Sequence, residues 1–137
     1  MRLRLIRGAL VVTALLAGVW LALSYHSVRL EEEGEAVLER AGRGPLQPDE
    51  VERAQDAFRG ARRLSVDEDP LVDEGLLLVA AGRRHEAANL AARATEREPE
   101  NSRAWFLALA SAPDRQRAAE ARRRLRELNP WWRSVLR

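Results

Sequence analysis

The sequence predicts an all-α protein, with an N-terminal transmembrane helix, a short α-solenoid of about three helical hairpins, and a C-terminal capping helix. Two observations lead to this fold class. Residues 8–28 form an apolar run of 21 residues with no formal charge when His26 is neutral. Short amphipathic segments fill the rest of the chain, and comparable units end at Pro70, Pro99 and Pro130, with spacings of 29 and 31 residues.

The composition limits both the fold and the partners. Of 137 residues, 46% are hydrophobic and 32% are charged, and the absence of cysteine excludes disulfides and thiolate metal sites. All 23 basic residues are arginine, which is typical of a GC-rich genome. The net charge is +3 over residues 1–23, −7 over 24–79, zero over 80–114 and +6 over 115–137. A uniform binder of polyanions would not alternate in this way, so no nucleic-acid partner is expected.

Residues 8–28 have the length of a membrane-spanning helix. At about 1.5 Å per residue they span about 30 Å, the thickness of the hydrocarbon core of a bilayer. Three arginines precede the run and the acidic stretch RLEEEGE follows it, so the positive-inside rule places the N-terminus in the cytoplasm. Trp20 and Tyr25 then lie near the outer interface, which amphipathic rings favour.

The expected topology is a single-pass protein of the inner (cytoplasmic) membrane. Residues 1–27 form the cytoplasmic tip and signal anchor, and residues 28–137 form an extracytoplasmic repeat domain. A cleaved secretory signal is the main alternative, because Ala22 and Ser24 give a small-x-small site. The run exceeds the usual apolar region of such signals, and Tyr25 follows directly, which favours the uncleaved anchor. A buried core helix is a third interpretation, although no other segment is apolar enough to cover it.

The middle unit, PLVDEGLLLVAAGRRHEAANLAARATEREP, predicts a helix over 70–81, a turn at Gly82 and a second helix over about 84–98. Asp69 is placed to cap the first helix, with Pro70 at its first position. Small residues recur where two helices would touch, which allows their axes to approach closely.

This unit resembles the tetratricopeptide repeat (TPR) family, in particular a membrane-anchored bacterial protein of that kind. Leu71 and Leu78 stand where the family often has Trp and Tyr. The small, turn and closing positions of the family are matched here by Gly75, Ala87, Ala94, Gly82 and Pro99.

Two further units match less closely. In the following unit the corresponding packing positions are Trp105, Ala118, Leu125 and Pro130. In the preceding unit they are Leu30, Gly34, Val37, Ala54, Phe58, Ala61 and Leu64. Three hairpins are about the smallest number that buries a continuous core. After Pro130, the residues WWRSVL predict a short capping helix, and Trp131 with Trp132 is alternatively an exposed anchor for a partner or for the membrane interface.

No catalytic motif or metal-ligand spacing is present. His26 and His85 are far apart in sequence and neither has a partner by spacing, so we expect no enzyme activity, no cofactor and no metal. Arg115, Arg122 and Arg126 form a basic stripe whose simplest interpretation is a solvated helix face. An anionic glycan, lipid headgroups or an acidic protein would suit that stripe better than nucleic acid.

The family resemblance implies a concave surface, lined by the first helix of each hairpin, that receives a peptide or protein. By spacing, its lining is Val72, Leu76, Val79, Arg103, Phe106 and Ala110, with Glu31, Glu35 and Leu38 from the first unit. The expected function is a non-catalytic, membrane-anchored scaffold in assembly of a bacterial cell-envelope, secretion or polymer-export complex.

Two alternatives stay open. One is a structural accessory subunit that acts mainly through its transmembrane helix, where Gly8, Ala14 and Gly18 offer small residues for helix packing. The other is a soluble TPR-like binding protein released by signal cleavage.

The uncleaved anchor predicts that the mature protein keeps the mass of the whole chain, 15.5 kDa. Intact-mass spectrometry of the protein purified from its native cells measures this directly. A mass reduced by the residues up to about Ser24 would instead identify a secreted protein.

Overall fold

The computed structural model describes residues 2–64 and 69–129, with side chains for 13–26, 28–63 and 69–129. The described part is all-helical, which confirms the predicted class. Its six helices are α1 (Arg2–Ala41), α2 (Pro48–Leu64), α3 (Asp69–Ala80), α4 (Arg84–Arg97), α5 (Ser102–Ser111) and α6 (Arg115–Leu128). The predicted capping helix and Pro130, Trp131 and Trp132 lie outside the described residues.

The helices of the middle unit begin and end within one residue of the predicted bounds. Gly82 in the turn between α3 and α4 has φ +78°, a conformation that an L side chain rarely adopts. Two polar side chains cap the following helices. The Asn101 side chain accepts from the backbone N–H of Arg103 at the start of α5, and the Asp114 side chain accepts from that of Arg117 in α6.

Helix α1 runs without a break from Arg2 to Ala41. The predicted boundary between residues 27 and 28 therefore falls inside a continuous helix. Within the part of the chain that the structure describes, we find no helix long and apolar enough to cross a membrane. The predicted spanning run, residues 8–28, includes residues 8–12 and 27, whose side chains lie outside the described ones.

The helices stack in an ordered array. Each packs against the next along the chain, and α1 also packs against α3, and α3 against α5. Among the described residues, no such contact joins α2 to α4 or α4 to α6. The odd-numbered helices therefore form one inner row, and the even-numbered helices lie outside it.

Two apolar clusters fill the array. The larger lies between α3, α4 and α5 and contains Leu71, Val72, Leu78, Ala87, Ala91, Ala94, Ala104 and Leu107. The smaller contains Val51, Ala54, Phe58 and Leu77 and joins α2 to α3, with Val37 and Leu38 of α1 packed against it. Alanine supplies half of the residues in the larger cluster, so close backbone approach fills much of its volume.

Glycine gives the closest contacts between helices. A Cβ atom added to Gly34 of α1 would lie 2.5 Å from the Cζ of Phe58, which is fully buried in α2. One added to Gly75 of α3 would overlap the side chain of Leu107 in α5. A hydrogen is thus the largest group that these two positions accept without displacement of a neighbour.

Glu74 of α3 is a charged residue in the apolar interior, with only 4% of its side chain exposed. Its Oε1 accepts a hydrogen bond from Arg59 Nε of α2 at 3.1 Å, and Arg62 Nη1 lies 3.6 Å from its Oε2. Gln55 also donates to Oε1 and accepts from Arg83 in the α3–α4 turn. This network joins the first hairpin to the second.

We expect Gly34→Val to lower the free energy of unfolding by about 2 kcal/mol, because the buried Phe58 ring must shift to admit the new side chain. Chemical denaturation of the full chain in detergent, followed by circular dichroism, measures this. Gly18→Val is the matched control in the same helix, because a Cβ at Gly18 meets nothing within 4 Å. Equal stability of the two variants would contradict the close packing of Phe58 against Gly34.

Candidate partner-binding surface

The odd-numbered helices bring several predicted lining residues to one face, here called the first-helix surface. It comprises Glu35 of α1, Asp69, Asp73, Leu76 and Val79 of α3, and Arg103, Phe106 and Ala110 of α5. Leu76 and Val79 are partly buried against the larger cluster, Ala110 is half-buried, and Phe106 is 38% exposed. Apolar side chains from two stacked helices thus reach solvent beside charged ones.

Other predicted lining residues lie elsewhere. Val72 is fully buried in the larger cluster, so it contributes to the core and presents nothing at the surface. Leu38 of α1 packs against the smaller cluster, and Glu31 is partly buried. The helical spacing of residues identifies the helix face but not the depth at which each side chain stops, because the neighbouring helix decides that depth.

Arg103 links α5 to α3 through two carboxylates. Its Nη1 lies 3.0 Å from Asp69 Oδ1, and its Nη2 donates to Asp73 Oδ1 at 2.5 Å. The side chain of Asp73 is 8% exposed and that of Arg103 is 49% exposed. The pair therefore has a buried anion and a half-solvated cation.

Burial raises the pKa of the Asp73 carboxyl above its ordinary value, because the charged form loses hydration. Arg103 opposes this shift by attracting the carboxylate, whereas Glu35 and Asp69 reinforce it by repulsion. Arg103 thus pairs with two carboxylates of α3, and the charge of Glu35 from α1 acts on the same Asp73 carboxyl. The sequence did not single out Asp73, although an acid within the apolar segment PLVDEGLLLVA was a visible signal.

Charge separates between the two layers of the array. The inner parts of the odd-numbered helices, residues 28–41, 69–80 and 102–111, carry a net charge of −5. The even-numbered helices carry +5, of which α6 alone contributes +4. Of the four charged residues on the first-helix surface, Glu35, Asp69 and Asp73 are acidic and only Arg103 is basic, so this surface is acidic. Helix α6 makes the outer layer basic at its end of the array.

A groove separate from the first-helix surface opens between α4 and α6, over α5. It has a volume of about 270 Å³, and its floor is made of small side chains, including Ala91, Ala108 and Ser111. Trp105 stands at its edge, donates its Nε1–H to the Pro99 carbonyl at 2.7 Å and lies 5.6 Å from the Arg124 guanidinium.

Several of the remaining predicted packing residues line the seams between helices, whereas Pro99 is exposed. Ala87 and Ala94 are fully buried between α4 and its neighbours, and Leu125 is fully buried in α6. Ala118 is half-buried. Arg115 and Arg122 of the predicted basic stripe on α6 are exposed, so this face of the helix is accessible to solvent.

The two histidines do not meet. His26 lies in the N-terminal apolar part of α1, and His85 lies in the first turn of α4. Both are exposed. No group of three or more His, Asp or Glu side chains within the described ranges is arranged to hold a metal ion.

No protein-family model, curated protein or solved structure matches this chain. The likeness to tetratricopeptide repeats therefore depends on the residues quoted above and on the stacking of the helices.

We expect Arg103→Gln to destabilise the protein at neutral pH by about 1–3 kcal/mol, because it leaves the buried Asp73 carboxylate without its cation. The loss should be smaller at low pH. The raised pKa of Asp73 means that its contribution to stability is fully present below its ordinary value of about 3.8 and is lost as pH rises through the higher folded-state pKa. Without Arg103 that pKa rises further, so the loss towards neutral pH grows.

Urea denaturation at about pH 3.5 and about pH 7 measures this difference. Arg53→Gln is the control, because Arg53 and Asp49 form an exposed pair in which both side chains are more than 70% solvent-accessible. An equal loss for Arg103→Gln at both pH values would show that Asp73 is not the group that depends on Arg103.

Proposed function

We propose that this protein is a non-catalytic, TPR-like scaffold that binds a peptide or protein on its first-helix surface. The observation that carries the proposal is the inner row of α1, α3 and α5, which presents partly exposed Leu76, Val79 and Phe106 beside the Asp73–Arg103 pair. Partly exposed apolar side chains next to oriented charges are what a protein partner recognises. A stacked array of hairpins also keeps such a surface rigid, which reduces the entropy lost on binding.

The charge of this surface favours one kind of partner. Because three of the four charged residues on this surface are acidic, a partner segment with lysine or arginine beside apolar side chains fits best. Apolar contact with Leu76 and Phe106 supplies affinity, and the carboxylates select the sign of the partner's charge.

The proposal also includes a membrane tether, which is the apolar N-terminal part of α1. Eight large apolar side chains on residues 15–28 of α1 are about half exposed or more, namely Leu15, Leu16, Val19, Trp20, Leu21, Leu23, Tyr25 and Val28. At 3.6 residues per turn they surround the helix, with no gap wider than about 80°. One partner helix covers only one side, whereas lipid covers all sides, so this pattern supports a bilayer around the helix.

With this tether, the protein is a single-pass protein of the inner membrane, with its N-terminus in the cytoplasm and its array outside. There it would assist assembly of an envelope, secretion or polymer-export complex. The continuous α1 helix supports a firm connection between the anchor and the array.

Site-specific photo-crosslinking in native membranes tests the binding surface. A photoreactive amino acid at position 106, or at the exposed position 80 of α3, should yield a discrete crosslinked protein that mass spectrometry identifies. Position 80 lies one helical turn after Leu76, on the same face of α3. The matched control is position 89, which is exposed on α4 away from this surface. Crosslinks of the same protein from all three positions, or from position 89 alone, would contradict partner binding at the first-helix surface.

The matched pair Leu76→Ala and Leu90→Ala separates binding from stability. Both leucines are partly buried against the same cluster, but only Leu76 belongs to the first-helix surface. We expect a similar loss of stability from both variants and weaker recovery of the crosslinked partner only with Leu76→Ala.

A further inference from the structure

The register of α1 against α2 determines where the array lies along its own tether. Leu30 packs over Gly60, Gly34 packs under Phe58, and Arg40 pairs with Glu50. Across these three contacts the residue numbers rise along α2 as they fall along α1, so the two helices are antiparallel. The end of α2 therefore points back along α1, towards its apolar part.

The last turn of α2 thus extends past the level of Leu30 on α1. Arg63 is three residues past Gly60, which places it about 4.5 Å further back and level with residue 27 of α1. Arg29 is on α1 within about one turn of that level, and both arginines are exposed. Tyr25 is only about 3 Å from the same level along the helix axis.

We propose that Arg63 and Arg29 bind the phosphate groups of the lipids that surround the tether, so that the end of α2 rests on the membrane surface. This inference depends on the proposed bilayer tether through residues 8–28. If that run fills the hydrocarbon core, residue 27 is at its outer edge, where lipid phosphates begin. A guanidinium there forms paired hydrogen bonds with phosphate oxygens.

Two features of the chain suit this arrangement. Arg62, the neighbour of Arg63, is held by the buried Glu74 and is one-third exposed, so it fixes the last turn of α2 while Arg63 stays available. Cations at the C-terminal end of a helix are also favoured by the helix dipole. The acidic residues Glu31, Glu32 and Glu33 come after Arg29 along α1, so they lie further than Arg29 from its apolar part.

Fluorescence quenching in vesicles tests the position of α2. Because the chain has no cysteine, single labels are introduced cleanly. A fluorophore on Leu64→Cys at the end of α2 should lose most of its emission to a nitroxide carried on the lipid headgroup. A label on the exposed Glu52→Cys should keep nearly all of it, because it lies about 18 Å further along α2 and outside the headgroup layer.

A third label, on Leu21→Cys, reports the tether itself through nitroxides on the acyl chains. Quenching at position 21 without quenching at position 64 overturns the contact of α2 with the membrane and leaves the tether in place. No quenching at position 21 overturns both.

Charge variants test the phosphate contact. With the label at position 64, a headgroup nitroxide on phosphatidylglycerol should quench more than one on phosphatidylcholine, because the arginines collect anionic lipid. Arg29→Gln with Arg63→Gln should abolish this preference, and Arg53→Gln, at the far part of the same helix, should keep it. A preference that survives the double variant, or is absent from the unmodified protein, overturns phosphate binding by these arginines.

Discussion

Close contact between helix backbones is the constraint on which the rest of this structure depends. Gly34 admits the ring of Phe58, and Gly75 admits the side chain of Leu107, at distances that no Cβ atom would allow. The alanines of α4 continue the same seam. Large side chains pack against a neighbouring helix only where that helix has a small residue. The order and spacing of the helices therefore follow from the positions of the small residues.

Buried charges add direction to an otherwise apolar contact. Glu74 faces the arginines of α2, and Asp73 faces Arg103 of α5, so two consecutive residues of α3 connect it to both neighbouring hairpins. A buried carboxylate tolerates few other arrangements, because any shift that separates it from its arginine leaves a charge without hydration or a counter-ion. These pairs thus favour one register of the array.

The continuity of α1 connects this array to the apolar N-terminal part. The same helix that packs against α2 and α3 extends beyond them with apolar side chains on every side. A helix transmits position and rotation rigidly, unlike a flexible linker, so a binding surface on the array would keep a fixed orientation to whatever surrounds the projecting part. The acidic inner row and the basic outer row would then face defined directions.

The sequence by itself determined the helical class, the bounds of α3 and α4, the turn at Gly82 and the small residues of the seams. These features depend on local chemistry, namely the period of apolar residues, the freedom of glycine and the placement of proline. Only the tertiary structure decided that Val72 is core whereas Leu76 and Phe106 reach the surface. It also decided that Asp73 and Arg103, thirty residues apart, form a pair. Burial and long-range pairing depend on how neighbouring helices cover each face, and helical spacing within one segment carries no information on its neighbours.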